Sequence, residues 1–308
     1  MLFNTLIFDM SNPEYHGASN TYSSSQLKTM IEDPEVFYKK YVTKEIGRES
    51  MPAFDVGTYF HTAVLEPEKL SEECAVFEGG IRRGKEWDEF KANAGSRAII
   101  TKSEKETADK LIGAIKNSPI CMGFLDSSKP EVSAFIEVYV LGDEVYSVKN
   151  GTAHVLVSVG WVPDLDVDPE SLAEFGTKII LKTRADALGM GTGIISDLKS
   201  TTGNCKNAHE MQGKVNSYQY DLSAALYLDV FSMASDEEYH TFVWLFASKD
   251  MGNARAYRAT DRNIMVGRAK WKKAILDLAF YLNNNWTFTD SLGEIGPSVY
   301  SLEWLERI

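Results

Sequence analysis

Apolar residues recur with two different periods along this chain, and the elements they predict differ accordingly. Up to about residue 120 the spacing is three or four residues, as on one face of a helix. Ser23, Ser24 and Ser25 stand before the run 26–31 and predict a capped helix there. Pro34 opens a short helical piece reaching Tyr41. Residues 56–65 predict a helix that carries His61, and Pro67 stops it. Over 102–116, Ala108, Leu111, Ile112 and Ile115 mark a buried face. The first 20 residues show neither period and are expected as a loose arm. Residues 44–52 are polar and predict a loop, and 72–100 are mixed, with a turn at Gly79 and Gly80.

From Glu131 the period becomes two. Val132, Ala134, Ile136 and Val138 alternate with Ser133, Phe135 and Glu137. Further strands are predicted over 153–161, 178–187 and 194–200, with an acidic, turn-rich stretch over 162–175. Gly189, Gly191 and Gly193 crowd the connection between the last two strands, which indicates a hairpin-type loop. One long helix is expected over 208–231, with Val215, Leu222, Leu226 and Val230 near one stripe, then a strand over 239–247 and a helix over 261–282. This pattern implies an α/β fold, a mixed central β-sheet with helices on both sides. No linker, repeat or low-complexity segment divides it. A single domain is expected over 1–308, with an N-terminal helical part (about 20–120) against a core (about 130–250).

Composition narrows the classes. Of 308 residues, 44% are hydrophobic and 25% charged, as in an ordinary globular protein. The formal charge of -12 argues against a generic basic nucleic-acid binder, but says little about a local cleft. Cys74, Cys121 and Cys205 are far apart and form no CxxC pair, which argues against a structural zinc site, an iron–sulfur cluster or a disulfide framework. The N-terminal run lacks a basic leader and no apolar stretch reaches 18 residues, so a reducing, cytoplasmic setting without membrane contact is expected.

The chemistry concentrates at Asp186, Asp197 and Lys199. Adjacent antiparallel strands place the two acids side by side, and Lys199, two residues past Asp197, shares its face. Leu198 points the other way, its carbonyl left near the acids. Carboxylates hold Mg²⁺ or Mn²⁺ through hard oxygens, and a lysine beside them stabilises charge on a phosphate. A bare D-x-K is more often a solvated strand pair. Arg255, Arg258, Arg262, Arg268, Lys270, Lys272 and Lys273 cluster near the C-terminus, either as a phosphate-contacting surface or as a solvated helix face. Tyr257 and Trp271 within that cluster read either as base-stacking rings or as core.

Four stretches make the reading more specific. They are Gly57-Thr58-Tyr59-Phe60-His61 running on to Leu65-Glu66-Pro67-Glu68, then Pro130-Glu131-Val132-Ser133, then Lys182-Thr183-Arg184-Ala185-Asp186, and finally Asp197-Leu198-Lys199-Ser200-Thr201-Thr202. In order and spacing they resemble the RecE-type, exodeoxyribonuclease VIII-like branch of the PD-(D/E)xK nuclease superfamily, akin in function to phage recombination exonucleases of the lambda kind. The resemblance spans about residues 22–232. Tyr220-Asp221-Leu222-Ser223-Ala224-Ala225-Leu226-Tyr227 resembles the family's Y-x-x-Q-x-A-x-Y helix, with Ser223 in place of the usual glutamine. Gln219 is close enough in sequence to serve the same region.

The resemblance implies a restriction-endonuclease-like core. It implies metal binding by His61, Asp186, Asp197 and the Leu198 carbonyl, with Mg²⁺ as cofactor and Mn²⁺ able to substitute. Lys199 is the implied catalytic residue, with Glu131 in the site behind the ligands or facing DNA. Gln219, Ser223, Tyr227, Arg255, Arg258 and Arg262 are candidates for DNA contact. The implied reaction is 5′-to-3′ exonuclease digestion of linear double-stranded DNA, leaving 3′ overhangs for recombination, in a bacterial cell or phage-infected host. The implied partners are DNA ends, further copies of the chain in a homo-oligomeric ring, and a single-strand annealing protein. An endonuclease, a single-strand nuclease or a non-catalytic DNA-binding module on the same core are the alternatives.

Overall fold

Alternating apolar residues on Lys129–Leu141 and Thr177–Gly189 make these the two longest strands, and the sheet is built outward from them. The computed structural model describes residues 4–47 and 52–288. Its strands in chain order are β1 (Thr5–Ile7), β2 (Cys74–Phe77), β3 (Ala98–Thr101), β4 (Lys129–Leu141), β5 (Glu144–Lys149), β6 (Thr152–Val157), β7 (Gly160–Pro163), β8 (Thr177–Gly189), β9 (Ile194–Thr201), β10 (Thr241–Ser248) and β11 (Ala254–Arg258). Among the described residues nine of them form one sheet in the order β11-β10-β9-β8-β4-β5-β6-β7, with β1 also on β4. All its pairings are antiparallel except β9 with β10. β2 and β3 form a separate parallel pair.

Helices cover both faces, and β10 shows how. Phe242, Trp244 and Phe246 join the core that contains Leu222, Leu226 and Val230 of the helix Tyr220–Ala234. The intervening Val243, Leu245 and Ala247 join Phe60, Leu111 and Ile115, from the helices Pro52–Leu65 and Lys102–Lys116. Successive residues of a strand face opposite sides, so the two apolar sets separate the two helical layers. The helices Tyr220–Ala234 and Asp261–Asn283 cross closely at Gly267, where a Cβ would lie 2.1 Å from the Asp221 carbonyl oxygen. The mixed α/β architecture with a flanked central sheet is therefore the one expected.

Several expected elements differ. The helix expected over 208–231 is two, Ala208–Ser217 and Tyr220–Ala234, because Gln219 takes a left-handed φ of 49°. No glycine or proline marks that break. The strand expected over 153–161 is a hairpin of β6 and β7, and β5 precedes it unforeseen. Pro169–Phe175 forms a short helix in the acidic stretch, capped by Asp168. Part of the expected 44–52 loop lies outside the described residues.

The expected loose arm is also ordered over its described residues, 4–20. β1 pairs with β4, and the helix Asn12–Gly17 follows under a Ser11–Glu14 capping box. Two basic residues of β8 hold it. Lys182 donates to the Tyr15 carbonyl at 2.9 Å. The buried Arg184 donates to the Asn12 side chain and the Met10 carbonyl, both at 2.8 Å, and to Ser133 Oγ at 2.9 Å, with its guanidinium over the Tyr15 ring. A buried guanidinium is tolerable only when its donors are satisfied, and here the arm supplies the acceptors. Arg184→Ala is expected to lower stability by about 3 kcal/mol and to expose residues 4–20 to protease. Urea unfolding with limited proteolysis checks both, and an arm that stays resistant contradicts this account.

Candidate metal centre

Three acids occupy one level of three neighbouring strands. In the β4–β8 register Pro130 pairs with Ala187 and Val132 with Ala185, but the step between them, Glu131 opposite Asp186, is skipped. The β8–β9 ladder ends at Ala187 with Ser196, so Asp186 and Asp197 are the next residues along each strand. Like charges abreast on adjacent strands repel, and the backbone yields at this level on both sides of β8. Glu131 takes a φ of 50°, in the left-handed region that non-glycine residues avoid. Asp186 Oδ2 accepts the Leu198 N–H at 2.7 Å, giving that donor a side-chain partner beyond the end of the ladder.

His61 reaches the acids from the helical layer. Its neighbour Phe60 is fully buried in the cluster that contains Leu198, Val243 and Leu245, while Val56, Tyr59 and Ala63 pack in the cluster with Ile100 and Ala108. With the helix held on both flanks, His61 Nδ1 lies 3.5 Å from Asp186 Oδ2. Ligand atoms of His61, Glu131 and Asp186 all lie within 4.8 Å of one another. Two carboxylates and one imidazole form a donor set able to hold one divalent cation, and the hard oxygens suit Mg²⁺ or Mn²⁺. Asp197 lies outside this grouping, with its Oδ2 2.6 Å from Lys199 Nζ. Lys199 Nζ is also 3.5 Å from the Leu198 carbonyl and sits over the Tyr220 ring.

The electrostatics describe a site short of positive charge. Burial, then the Asp186 carboxylate, push Glu131 up to about 8, against the pull of Arg184 3.8 Å away. Burial raises Asp197 as well, opposed by Lys199 and reinforced by Asp186. For Lys199, burial works to lower the ammonium, but Asp197 and Asp186 outweigh it and leave it above the ordinary lysine value. Burial, with Tyr15, Asp197 and Asp186 adding, holds the Tyr227 phenol well above its usual range, which brings that residue into the same field.

Other expected site residues are placed less uniformly. Tyr227 and the half-buried Ser223 lie on the helix Tyr220–Ala234, and Ser223 makes no side-chain hydrogen bond among the described residues. Gln219 precedes that helix and donates to Glu32 at 2.8 Å. Arg255 and Arg258 are exposed on the edge strand β11 and Arg262 is exposed in the last helix, none in an ion pair among the described residues. The rest of the basic cluster is committed: Arg268 to Asp229, Lys270 to Asp221, Lys272 to Glu144 and Lys273 to Asp277. Trp271 is fully buried and donates to Asp229, which makes it a core residue, whereas Tyr257 is half-buried against the core and donates to the Cys205 carbonyl. Lys28 is the neighbour that sequence reading missed. It sits over Tyr220 from the helix Ser24–Glu32, and only its i,i+4 spacing from Ser24 hinted at a shared face.

The Glu131 shift gives a signed expectation. An ordinary glutamate loses its proton near 4.5, whereas folded Glu131 keeps it to about 8. Between those values the folded chain binds the extra proton, so stability falls as pH rises through the window and levels off above it. In chelator, wild-type melting temperature should therefore fall between pH 5 and pH 8 relative to Glu131→Gln. Parallel melting curves for the two proteins would contradict this.

No protein-family model matches the chain, and no curated protein matches it. Among solved structures, the chain is similar to a protein of Eubacterium rectale named as a presumptive exonuclease. The two are 14% identical over 96% of this chain and 98% of that one, with a TM-score of 0.55. SSO0001 is 13% identical over 74% of this chain and 87% of its own, with a TM-score of 0.27. Rai1 of Scheffersomyces stipitis, solved with 3′-NADP⁺ and calcium, is 10% identical over 91% of this chain and 76% of its own, with a TM-score of 0.23. The last two carry no argument. The first is a likeness of fold, a mixed α/β architecture shared from end to end.

Proposed function

We propose that the chain is a divalent-metal-dependent DNA nuclease with a PD-(D/E)xK core, acting as an exonuclease from the 5′ ends of linear duplex. One observation carries this reading: Glu131, Asp186 and Asp197 stand abreast on three strands, with His61 over them and Lys199 bound to Asp197. The end-to-end fold likeness to a protein named as a presumptive exonuclease supports it. The quoted sequence motifs point the same way.

In this reading His61, Glu131 and Asp186 hold the cation. Mg²⁺ or Mn²⁺, when bound there, activates a water molecule and screens the charge that builds on phosphate. The Leu198 N–H fixes the rotamer of Asp186. Asp197 keeps Lys199 protonated and restrains its ammonium, so the lysine presents a fixed positive charge to an incoming phosphate. Arg184 supports Glu131 from behind and ties the N-terminal arm to the same strand. The same reading carries a homo-oligomeric ring around the duplex, and a single-strand annealing protein that receives the 3′ overhang.

Digestion of 5′- and 3′-labelled linear duplex beside a covalently closed circle tests the activity. Early release of the 5′ label, survival of the circle and inhibition by chelator are expected. Rapid nicking of the circle would replace exonuclease with endonuclease, and an inert protein would end the nuclease reading. Lys199→Ala should lose about 100-fold or more in single-turnover rate while retaining Mn²⁺ binding. Lys199→Arg should rescue poorly, because a planar fork replaces a compact ammonium. Asp186→Ala should lose metal binding and activity together in calorimetry and cleavage assays. A folded Lys199→Ala protein that cuts at the wild-type rate places the chemistry elsewhere.

A further inference from the structure

Three rungs join the helix Ser24–Glu32 to the start and middle of the helix Tyr220–Ala234. Ser24 lies near the Tyr227 hydroxyl, Lys28 sits over the Tyr220 ring, and Glu32 accepts from Gln219. Positions 24, 28 and 32 are four apart and share one helix face. The Glu32 rung is a hydrogen bond. The middle one differs: Lys28 has no oxygen partner among the described residues, although it is half-buried.

Its charged neighbours are each engaged by another donor. Asp197 is held by Lys199 at 2.6 Å, Asp221 by Lys270 at 2.6 Å and Glu32 by Gln219 at 2.8 Å. Both Lys28 and Lys199 lie 5.4 Å from the centroid of the Tyr220 ring. Two ammoniums on one ring repel, and burial followed by Lys199 lowers Lys28 to about 8. A half-buried ammonium with three free donors beside a second cation is poorly satisfied until an anion arrives. A phosphate oxygen supplies both the acceptors and the charge.

We propose that Lys28 contacts a backbone phosphate of the bound nucleic acid, making the N-terminal helix one wall of the active site opposite Lys199. This rests on the nuclease reading above and adds a residue that none of the quoted motifs contains. The contact is made in the ground state, so its loss weakens binding more than turnover.

The test uses the full chain and a short linear duplex with Mg²⁺. Lys28→Ala should raise KM about tenfold and leave kcat within a few-fold, and Lys28→Arg should restore most of the loss. Binding of the same duplex in Ca²⁺, followed against salt, should show a slope shallower by about one in log K against log [salt]. A structural role would not move that slope. Melting temperature and Mn²⁺ affinity should match wild type. Unchanged KM and salt slope in Lys28→Ala, with a wild-type protein that does cut, overturns the Lys28 assignment alone. A KM defect with an unchanged slope and a lowered melting temperature also overturns it, since packing then explains the loss. A wild-type protein that neither binds nor cuts the duplex overturns this and the nuclease reading together.

Discussion

Repulsion among carboxylates placed abreast is the constraint on which the centre of this molecule depends. Glu131, Asp186 and Asp197 occupy neighbouring strands at one level, and the sheet does not pair there on either side of β8. A sheet that served only to fold would fill these positions with apolar or oppositely charged residues. Here the chain accepts a left-handed Glu131 and turns Asp186 onto a backbone N–H. Strain and clustered carboxylates coincide where His61 arrives, and His61, Glu131 and Asp186 form a donor set able to hold a divalent cation.

The surroundings follow from holding that arrangement in place. Phe60 and Leu198 share one apolar cluster, which sets His61 over the strands. Arg184 spans Ser133 on β4 and the arm at Met10 and Asn12, so the segment preceding the first long helix is fastened to the strand that carries Asp186. The close crossing at Gly267 sets the helix that carries Tyr220 and Tyr227 against the helix Asp261–Asn283. Glu237 accepts the N–H groups of Gly191 and Gly193, both at 2.9 Å, and stiffens the connection between β8 and β9. Glycine is required at 193, where φ is 65° and a Cβ would meet the Glu238 carbonyl oxygen at 2.8 Å.

Much of this was legible in the sequence because it depends on local periodicity. The alternation after Glu131, the glycine-rich connection and the helix carrying His61 all follow from spacing, which brings Asp186 and Lys199 together, whereas His61 was assigned to the site through the motif resemblance. Other features depend on contacts distant in sequence. The order of residues 4–20 comes from Lys182 and Arg184, more than 160 positions away. The break at Gln219 is a backbone choice with no glycine or proline to announce it. Four cations of the C-terminal cluster look available in sequence and are taken up by Asp229, Asp221, Glu144 and Asp277. Glu131 was expected behind the ligands or facing DNA, and its carboxylate stands among the three groups that converge, while Asp197 is turned to Lys199. Side-chain rotamers and the backbone flip at 131 decide that exchange, and neither has a sequence signature.

The central claim is that this level of the sheet is a cation site bounded by His61, Glu131 and Asp186. Anomalous diffraction from crystals soaked in Mn²⁺ tests it most directly. The account predicts one strong peak in contact with His61 Nδ1 and a carboxylate oxygen from each of Glu131 and Asp186. A well-ordered crystal with no peak among those three side chains, or with Mn²⁺ bound only elsewhere on the molecule, would contradict it.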